Sequence, residues 1–477
     1  MEHFNVGVIG SGPAGLSAAF PLQAGGQSVV IVEEYLWGGT CPNYGCDPKK
    51  VLLAAVEAKE QAEWMQHTGL IGHNEIDWPA LMEHKMAYTD PVPARKIAGL
   101  DDAGITHKYG HAYFVDEHTV STGTETFTAD KWIIATGARP ARLSVPGDEL
   151  LHDNEDFLNL PKMPEEVAFI GAGFIAIEFA GIAAAAGAKV HVVAKHDVIL
   201  REFDQDLTQD LIAQMESKGI TFHWNFDTAA VEETADGRFD IAAADGRRVT
   251  SDMPFIAAGR AGNTEDLNLE AAGVEVAGNG IKVMADLRTT NPNIFAVGDV
   301  AESPVPKLTP TGAYEARYVA GLLTGTEPEE ISYPAIPTMV YGSPKLGQVG
   351  MSAVEAEAKG MRVNSIDMTP WLAYWRHKEP IAKAKVVLNE KGVIIGATVL
   401  SAEADELLNY FTVAINQKQD KWAIKHNLYS YPSIASDMAS LPNHINNEKP
   451  LMTLKSYRWL FRFMAFFASH HLKTTLQ

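Results

Sequence analysis

Two stretches of this chain begin in the same way, and together they restrict the fold more than any other feature. "VGVIGSGPAGLSAAF" starts at residue 6 and "VAFIGAGFIAIEFAG" at residue 167. Each reads as an apolar strand, a glycine turn and a helix, followed by a second apolar strand, "VVIVEE" or "VHVVA". Gly10, Gly12 and Gly15 spell G-x-G-x-x-G, and Gly171, Gly173 and Ala176 spell the G-x-G-x-x-A variant. The first glycine permits a tight turn, the second lets the backbone approach a pyrophosphate, and the third position lets helix and strand pack closely. The phosphates would sit at the helix N-terminus, where free N–H groups and the dipole favour an anion. The pattern predicts an α/β chain with two dinucleotide-binding domains.

The ends of the second strands separate the two sites. Glu33 closes the first unit, placed to accept from the ribose hydroxyls of an adenosine. In the second unit Ala194, Lys195 and His196 stand there, with Arg201 just beyond. An acid binds a free 2′-hydroxyl and repels a 2′-phosphate, whereas cations do the reverse, so this site favours NADPH over NADH. Two dinucleotide sites in one chain point to a bound flavin plus a nicotinamide donor.

The net charge of −21 over 477 residues excludes non-specific nucleic-acid binding. The N-terminus has no basic start or cleavage site, so no signal peptide is expected, and no uncharged apolar run is long enough to span a bilayer. The two cysteines, Cys41 and Cys46, cannot form a secreted disulfide framework. The expected location is therefore cytoplasmic, where a disulfide is usually catalytic or redox-sensing. No metal site is expected.

"GGTCPNYGCDPKK" (38–50), the two glycine fingerprints and "IFAVGDV" (294–300) resemble the flavin-dependent pyridine nucleotide–disulfide oxidoreductases, the group of glutathione reductase, dihydrolipoamide dehydrogenase and mercuric reductase. "KWIIATGARP", "AAGRAGN", "LTPTGAYEAR" and "IPTMVYGSPKLGQVG" fall in family order, and the resemblance runs from about residue 4 to about residue 440. It implies Rossmann-like three-layer domains in this order: FAD-binding over 1–150, NAD(P)H-binding over 151–270, a return to the flavin over 271–330, and an α+β dimerisation domain over 331–440, with an aromatic and basic extension over 441–477. The sequence supports the dimerisation domain independently. "AKAKVVLNEKGVIIGATVLS" alternates like a β-hairpin, and "ADELLNYFTVAINQK" has helical spacing.

The resemblance also implies roles. Cys41 and Cys46 would be a redox-active disulfide, with Cys46 nearest the flavin and Cys41 attacking substrate. Lys49 or Lys50 would lie near flavin N5 and pair with Glu178. Gly39, Thr40, Thr136, Gly137, Asp299, Gly259 and Arg260 would join the fingerprints in cofactor binding, Asp299 at the ribityl chain or pyrophosphate of FAD. A helix N-terminus and the two lysines should lower the thiolate pKa. Electrons would pass from NADPH through FAD and the cysteine pair to a small disulfide, in a homodimer.

The pattern breaks near the C-terminus. Where the family places a histidine from the partner subunit, with a glutamate five residues on, this chain has Tyr431 and Ser436, followed by Asp437. Neutral tyrosine is far from a good acid–base group at neutral pH. Tyr431 is open to three readings: a hydrogen bond to substrate, contact with a metal ion, or an ordinary interface aromatic. His426 and His444 flank the segment as substitutes. "VLLAAVEAKEQAEWMQHTG" is acidic, which disfavours the carboxylates of glutathione disulfide. Residues 450–475 carry Lys455, Arg458 and Arg462 as a basic stripe among aromatics. That helix could lie in a membrane interface at the inner face of the membrane, cover an apolar surface of the dimer, or exchange with the partner subunit. The alternative function is NAD(P)H-dependent reduction of quinones, metal ions or oxygen; a redox-sensing or membrane-recruited dimer is a third.

Overall fold

A computed structural model describes residues 1–441 of the chain. Residues 442–477, with the helix expected over 450–475 and His444, lie outside the described residues. No helix among the described residues is long and apolar enough to cross a membrane.

The first sheet is built on four parallel strands in the order Thr106–Tyr109, Val29–Glu33, Glu2–Ile9, Thr126–Ile134. Every residue of Val29–Glu33 is buried, as expected for a parallel strand covered on both faces. The helices Pro13–Ala24 and Thr309–Thr324 pack together on this unit. Much later in the chain, Ile294–Ala296 returns and pairs in parallel with Thr126–Ile134. The second sheet is also parallel, in the order Ile220–His223, Lys189–Val193, Glu166–Ile170, Met253–Ile256. Between the two sheets, Ala138–Pro140 pairs with Arg260–Gly262, so the strands entering and leaving the second unit are bonded together.

Both fingerprints take the geometry their glycines allow. Gly10 and Gly171 sit at φ +100° and +116°, a region a side chain rarely adopts. A Cβ at Gly15 would lie 1.9 Å from the Gly10 carbonyl oxygen, so strand and helix can approach this closely only without one.

The third unit is a five-stranded antiparallel sheet: Thr338–Val340, Lys345–Gly350, Ile394–Ser401, Lys383–Leu388, Arg362–Asp367. The expected hairpin is the pair Lys383–Leu388 and Ile394–Ser401. The expected helix is Ala404–Asn416, which buries Leu407, Leu408, Phe411 and Ala414 along one face against this sheet. Lys385 reaches Asp204 at 2.8 Å and Lys383 reaches Asp210 at 2.7 Å, tying this sheet to the second unit.

Candidate redox site

Gly39, at φ +66°, opens a short helix over Thr40–Tyr44. Gly45 breaks it (φ −130°, ψ −115°), and the long helix Cys46–Trp64 starts at the next residue. A Cβ at Gly45 would lie 2.8 Å from the Thr40 carbonyl oxygen. The break folds the chain back so that two cysteines five positions apart lie close enough for each to shift the ionisation of the other. Both are free thiols here. The interaction with Cys41 is the main reason Cys46 falls to about 6; the Thr309 hydroxyl, at 3.5 Å, and the charges of Lys49 and Lys50 also help, against burial. Cys41 is pushed well up, first by that same interaction and then by burial and the charge of Cys46. The two effects run in opposite directions, favouring the thiolate at Cys46 and the thiol at Cys41.

Behind the pair lies a buried charge cluster. Glu178, on the helix Phe174–Ala185, is 2% exposed, and one of its oxygens meets Lys49 at 2.5 Å and Lys50 at 3.3 Å. Its other oxygen accepts the Tyr341 amide at 3.0 Å. Burial pushes Glu178 up, but the two ammonium groups outweigh it and hold the carboxyl below its ordinary range. Burial takes Lys50 down to about 8, against the pull of Glu178. Lys50 also sits 3.1 Å over the Tyr341 ring. Both lysines therefore share the glutamate, and Lys49 is the closer.

The two glycine turns fit dinucleotides. Gly12 and Gly173 cap their helices with no side-chain hydrogen bond, leaving the first N–H groups for an anion. Gly173, Gly137 and Gly259 border open space. A Cβ on Gly39 would fall 2.6 Å from Gly12 Cα, so the Gly39–Thr40 turn lies directly against the first fingerprint. Glu33 ties that turn together as well: it accepts the Ser11 amide at 2.9 Å and its hydroxyl at 2.7 Å, and the amides of Glu34 and Tyr35. Thr136 donates to the Asn263 carbonyl at 2.7 Å. Burial pushes Asp299 up, with Arg260 pulling the other way, and Arg260 donates to the Ala138 carbonyl.

Three expectations change in the folded chain. Lys195 is paired with Asp227 at 2.9 Å, so an acid stands in space where none follows the strand in sequence. His196 and Arg201 are exposed. The three glutamates of the helix Cys46–Trp64 are also compensated: Glu57 by Lys345 at 3.0 Å, Glu60 by Lys218 at 2.6 Å and Glu63 by Lys59 at 2.5 Å. The electrostatic argument against a carboxylate-bearing disulfide loses its force. Ser436, at the glutamate position, is a helix-capping residue: its hydroxyl contacts the Ser433 amide at 3.1 Å, and Ser433 caps Ile434–Met438 in return.

Tyr431 is 76% exposed, and no hydrogen bond among the described residues joins it to either thiol. His426 is exposed at the end of the helix Lys421–His426. Beside Tyr431, Ser430, Pro432 and Ser433 help to wall a cavity of about 590 Å³ that also holds Glu379, Glu403 and Tyr410. Burial pushes Glu379 up to about 7. Its carboxyl therefore favours the folded state fully below the ordinary carboxylate range, and that contribution is lost as pH rises through about 7. Glu379→Gln is expected to stabilise the protein by about 2–3 kcal/mol at pH 8 and to change little at pH 4, measured by denaturant unfolding. An equal shift at both pH values would rule out this ionisation as the cause.

The sequence did not single out Thr309, Tyr341, Asp47 or Tyr88. Of these, Asp47 lies inside the cysteine motif itself. Its Oδ1 is 3.7 Å from Cys41 Sγ, and its Oδ2 accepts the Tyr88 hydroxyl at 2.7 Å.

A family model for pyridine nucleotide-disulphide oxidoreductases matches residues 4–316, and the dimerisation-domain model of the same family matches residues 336–441. A glutathione reductase of Nostoc sp. is 30% identical over 465 residues, covering 92% of this chain and 99% of the relative. Dihydrolipoyl dehydrogenases of Bacillus subtilis and Geobacillus stearothermophilus are 30% and 31% identical, each covering 90% of this chain and 93% of the relative. Homodimer formation goes with the dimerisation domain. The two models between them take in nearly all of the described residues, and the chain belongs to the pyridine nucleotide-disulphide oxidoreductases, enzymes that use FAD and NAD(P)H and act on sulfur groups.

Proposed function

We propose that this enzyme takes electrons from NADPH and reduces a small disulfide through the Cys41–Cys46 pair. The observation that carries the reading is geometric: the break at Gly45 sets Cys41 and Cys46 at the starts of consecutive helices, with the Lys49–Lys50–Glu178 cluster behind them. Bound FAD supplies the two-electron link between the nicotinamide and the cysteines. Gly10, Gly12, Gly15, Glu33, Gly39, Thr40, Thr136, Gly137 and Asp299 hold it, within 1–150 and 271–330. Gly171, Gly173, Lys195, His196 and Arg201 hold NADPH within 151–270, with Gly259 and Arg260 at the junction. Lys49 and Lys50, tied by Glu178, keep a positive field beside the Cys46 sulfur and would present it to the bound flavin as well. Cys41 attacks the substrate, and Cys46 then resolves the mixed disulfide. Relatives named for glutathione and for dihydrolipoyl groups match about equally well, so the identity of the disulfide is not part of the proposal.

A second reading, reduction of quinones, metal ions or oxygen, is favoured by Tyr431 in place of the acid–base histidine. The two separate in one experiment. Wild type and Cys41→Ser are reduced anaerobically with NADPH, or with NADH in parallel, and then offered each acceptor class. Reoxidation by small disulfides that requires Cys41 supports disulfide reduction. Equal reoxidation of both proteins by quinones or metal ions, with none by disulfides, supports the second reading.

A further inference from the structure

The sulfur assigned to substrate attack has a carboxylate beside it. Asp47 Oδ1 is 3.7 Å from Cys41 Sγ, within range of its S–H, and Asp47 Oδ2 accepts the Tyr88 hydroxyl at 2.7 Å. Tyr88 comes from a different helix, Trp78–Thr89. It is steadied by Arg95, whose guanidinium lies 5.7 Å from the ring centre and donates to the Tyr88 carbonyl at 3.2 Å. Tyr88 is 40% exposed, so this side of Cys41 is reached from solvent. An acid in the first turn of a helix offsets the helix dipole, and that alone would account for a carboxylate at position 47. It does not account for both oxygens being engaged, one by the attacking sulfur and the other by a tyrosine from a neighbouring helix.

We propose that Asp47, oriented by Tyr88, is the acid–base residue of the disulfide step and does within one subunit what a histidine at position 431 would otherwise do. The proposal rests on the disulfide reading above. The Cys41 proton passes to Asp47 as the Cys41 sulfur bonds to one substrate sulfur and the substrate S–S bond breaks. The departing thiolate takes that proton back from Asp47 and leaves as a thiol. Cys46 thiolate then attacks Cys41 Sγ, the Cys41–substrate bond breaks, and the second substrate sulfur leaves with a proton from solvent. Two electrons have passed from the cysteine pair to the substrate, which departs as two thiols. Between turnovers the negative charge of Asp47 helps keep the proton on Cys41, in the same direction as the larger effects of Cys46 and burial.

Asp47→Asn keeps the shape and removes the charge. Disulfide turnover per bound flavin is expected to fall about 10²-fold, the lower end for loss of a general acid–base group. Alkylation of Cys41 by iodoacetamide in the reduced protein, followed by peptide mass spectrometry, is expected to shift to lower pH, because the charge opposing the thiolate is gone. Because burial also raises Cys41, a local loosening would mimic the alkylation shift, and unchanged denaturant unfolding of Asp47→Asn separates loss of charge from loss of packing. Tyr88→Phe should give the same two changes, smaller, and Asp47→Glu should recover part of the turnover. Turnover by Asp47→Asn within twofold of wild type, or a Cys41 alkylation profile that stays in place or moves to higher pH, overturns the proposal and leaves Asp47 a helix-terminal acid. If wild type itself reduces no disulfide, the functional reading has failed first, and this role falls with it.

Discussion

Cys46→Ser protein, reduced chemically and given a small disulfide, is expected to stop as a covalent mixed disulfide on Cys41, with catalytic disulfide reduction lost. Serine cannot attack Cys41 Sγ, so the intermediate that Cys46 normally resolves has no exit. The substitution also puts a neutral hydroxyl where the Cys46 thiolate stood, removing the charge of Cys46 that helps to raise Cys41. Cys41 should therefore form its adduct at lower pH than in wild type. Intact-mass measurement detects the adduct, and peptide mapping places it. The experiment has a sharp alternative. Cys46 is the more acidic of the two thiols in the folded chain, a property that suits an attacking group. The assignment of attack to Cys41 comes from family resemblance. A Cys41→Ser protein that traps substrate on Cys46, while Cys46→Ser traps none, would reverse the two roles.

Glu178→Ala is expected to cost about 3–5 kcal/mol of stability, the effect of removing one member of a buried ion pair. Here the removal leaves two ammonium groups facing each other on the first turns of the helix Cys46–Trp64, one of them largely buried. Lys50 is already down at about 8, and Glu178 is the group that holds it up. Without the carboxylate Lys50 loses its proton more readily, and Cys46 loses part of the positive field that keeps it a thiolate. The pH midpoint of Cys46 alkylation should therefore rise. Denaturant unfolding at pH 7 reads the first effect, and alkylation reads the second. A triple replacement, Lys49→Met, Lys50→Met and Glu178→Leu, should recover much of the stability, because an apolar trio is a fair exchange for a buried ionic one, but not the thiolate shift. A loss below about 1 kcal/mol in Glu178→Ala would mean that the cluster is solvated enough to tolerate the change.

Local rules read well from this chain. The turns at Gly10 and Gly171 and the close packing at Gly15 were legible because each depends on a few adjacent residues and on the absence of a Cβ. The hairpin Lys383–Leu388 with Ile394–Ser401 and the helix Ala404–Asn416 were legible because their apolar spacing is a property of short windows. The site was legible in part. The family resemblance implied that Lys49 or Lys50 pairs with Glu178. It left the choice of lysine open, because the rotation of one helix against another is set by packing, and the packing brings both to the same oxygen. Ser436 was read at the place of a glutamate, whereas its hydroxyl is occupied at the Ser433 amide.

Charge compensation is where the sequence reading fell short. Lys195 has Asp227 beside it and Glu60 has Lys218, pairs that join separate elements and cannot be seen in a linear pattern. Asp47 was missed for the same reason. It stands one residue after Cys46, yet its significance lies in a distance to Cys41 created by the break at Gly45 and in a hydroxyl delivered by the helix Trp78–Thr89. The sequence by itself determined the two nucleotide turns, the paired thiols and the layered α/β architecture, since backbone sterics and hydrophobic periodicity act over short stretches. Only the tertiary structure decided which charges neutralise one another and which acid faces the attacking sulfur. Electrostatic and hydrogen-bond energies depend on distance through space, and the fold alone sets that distance.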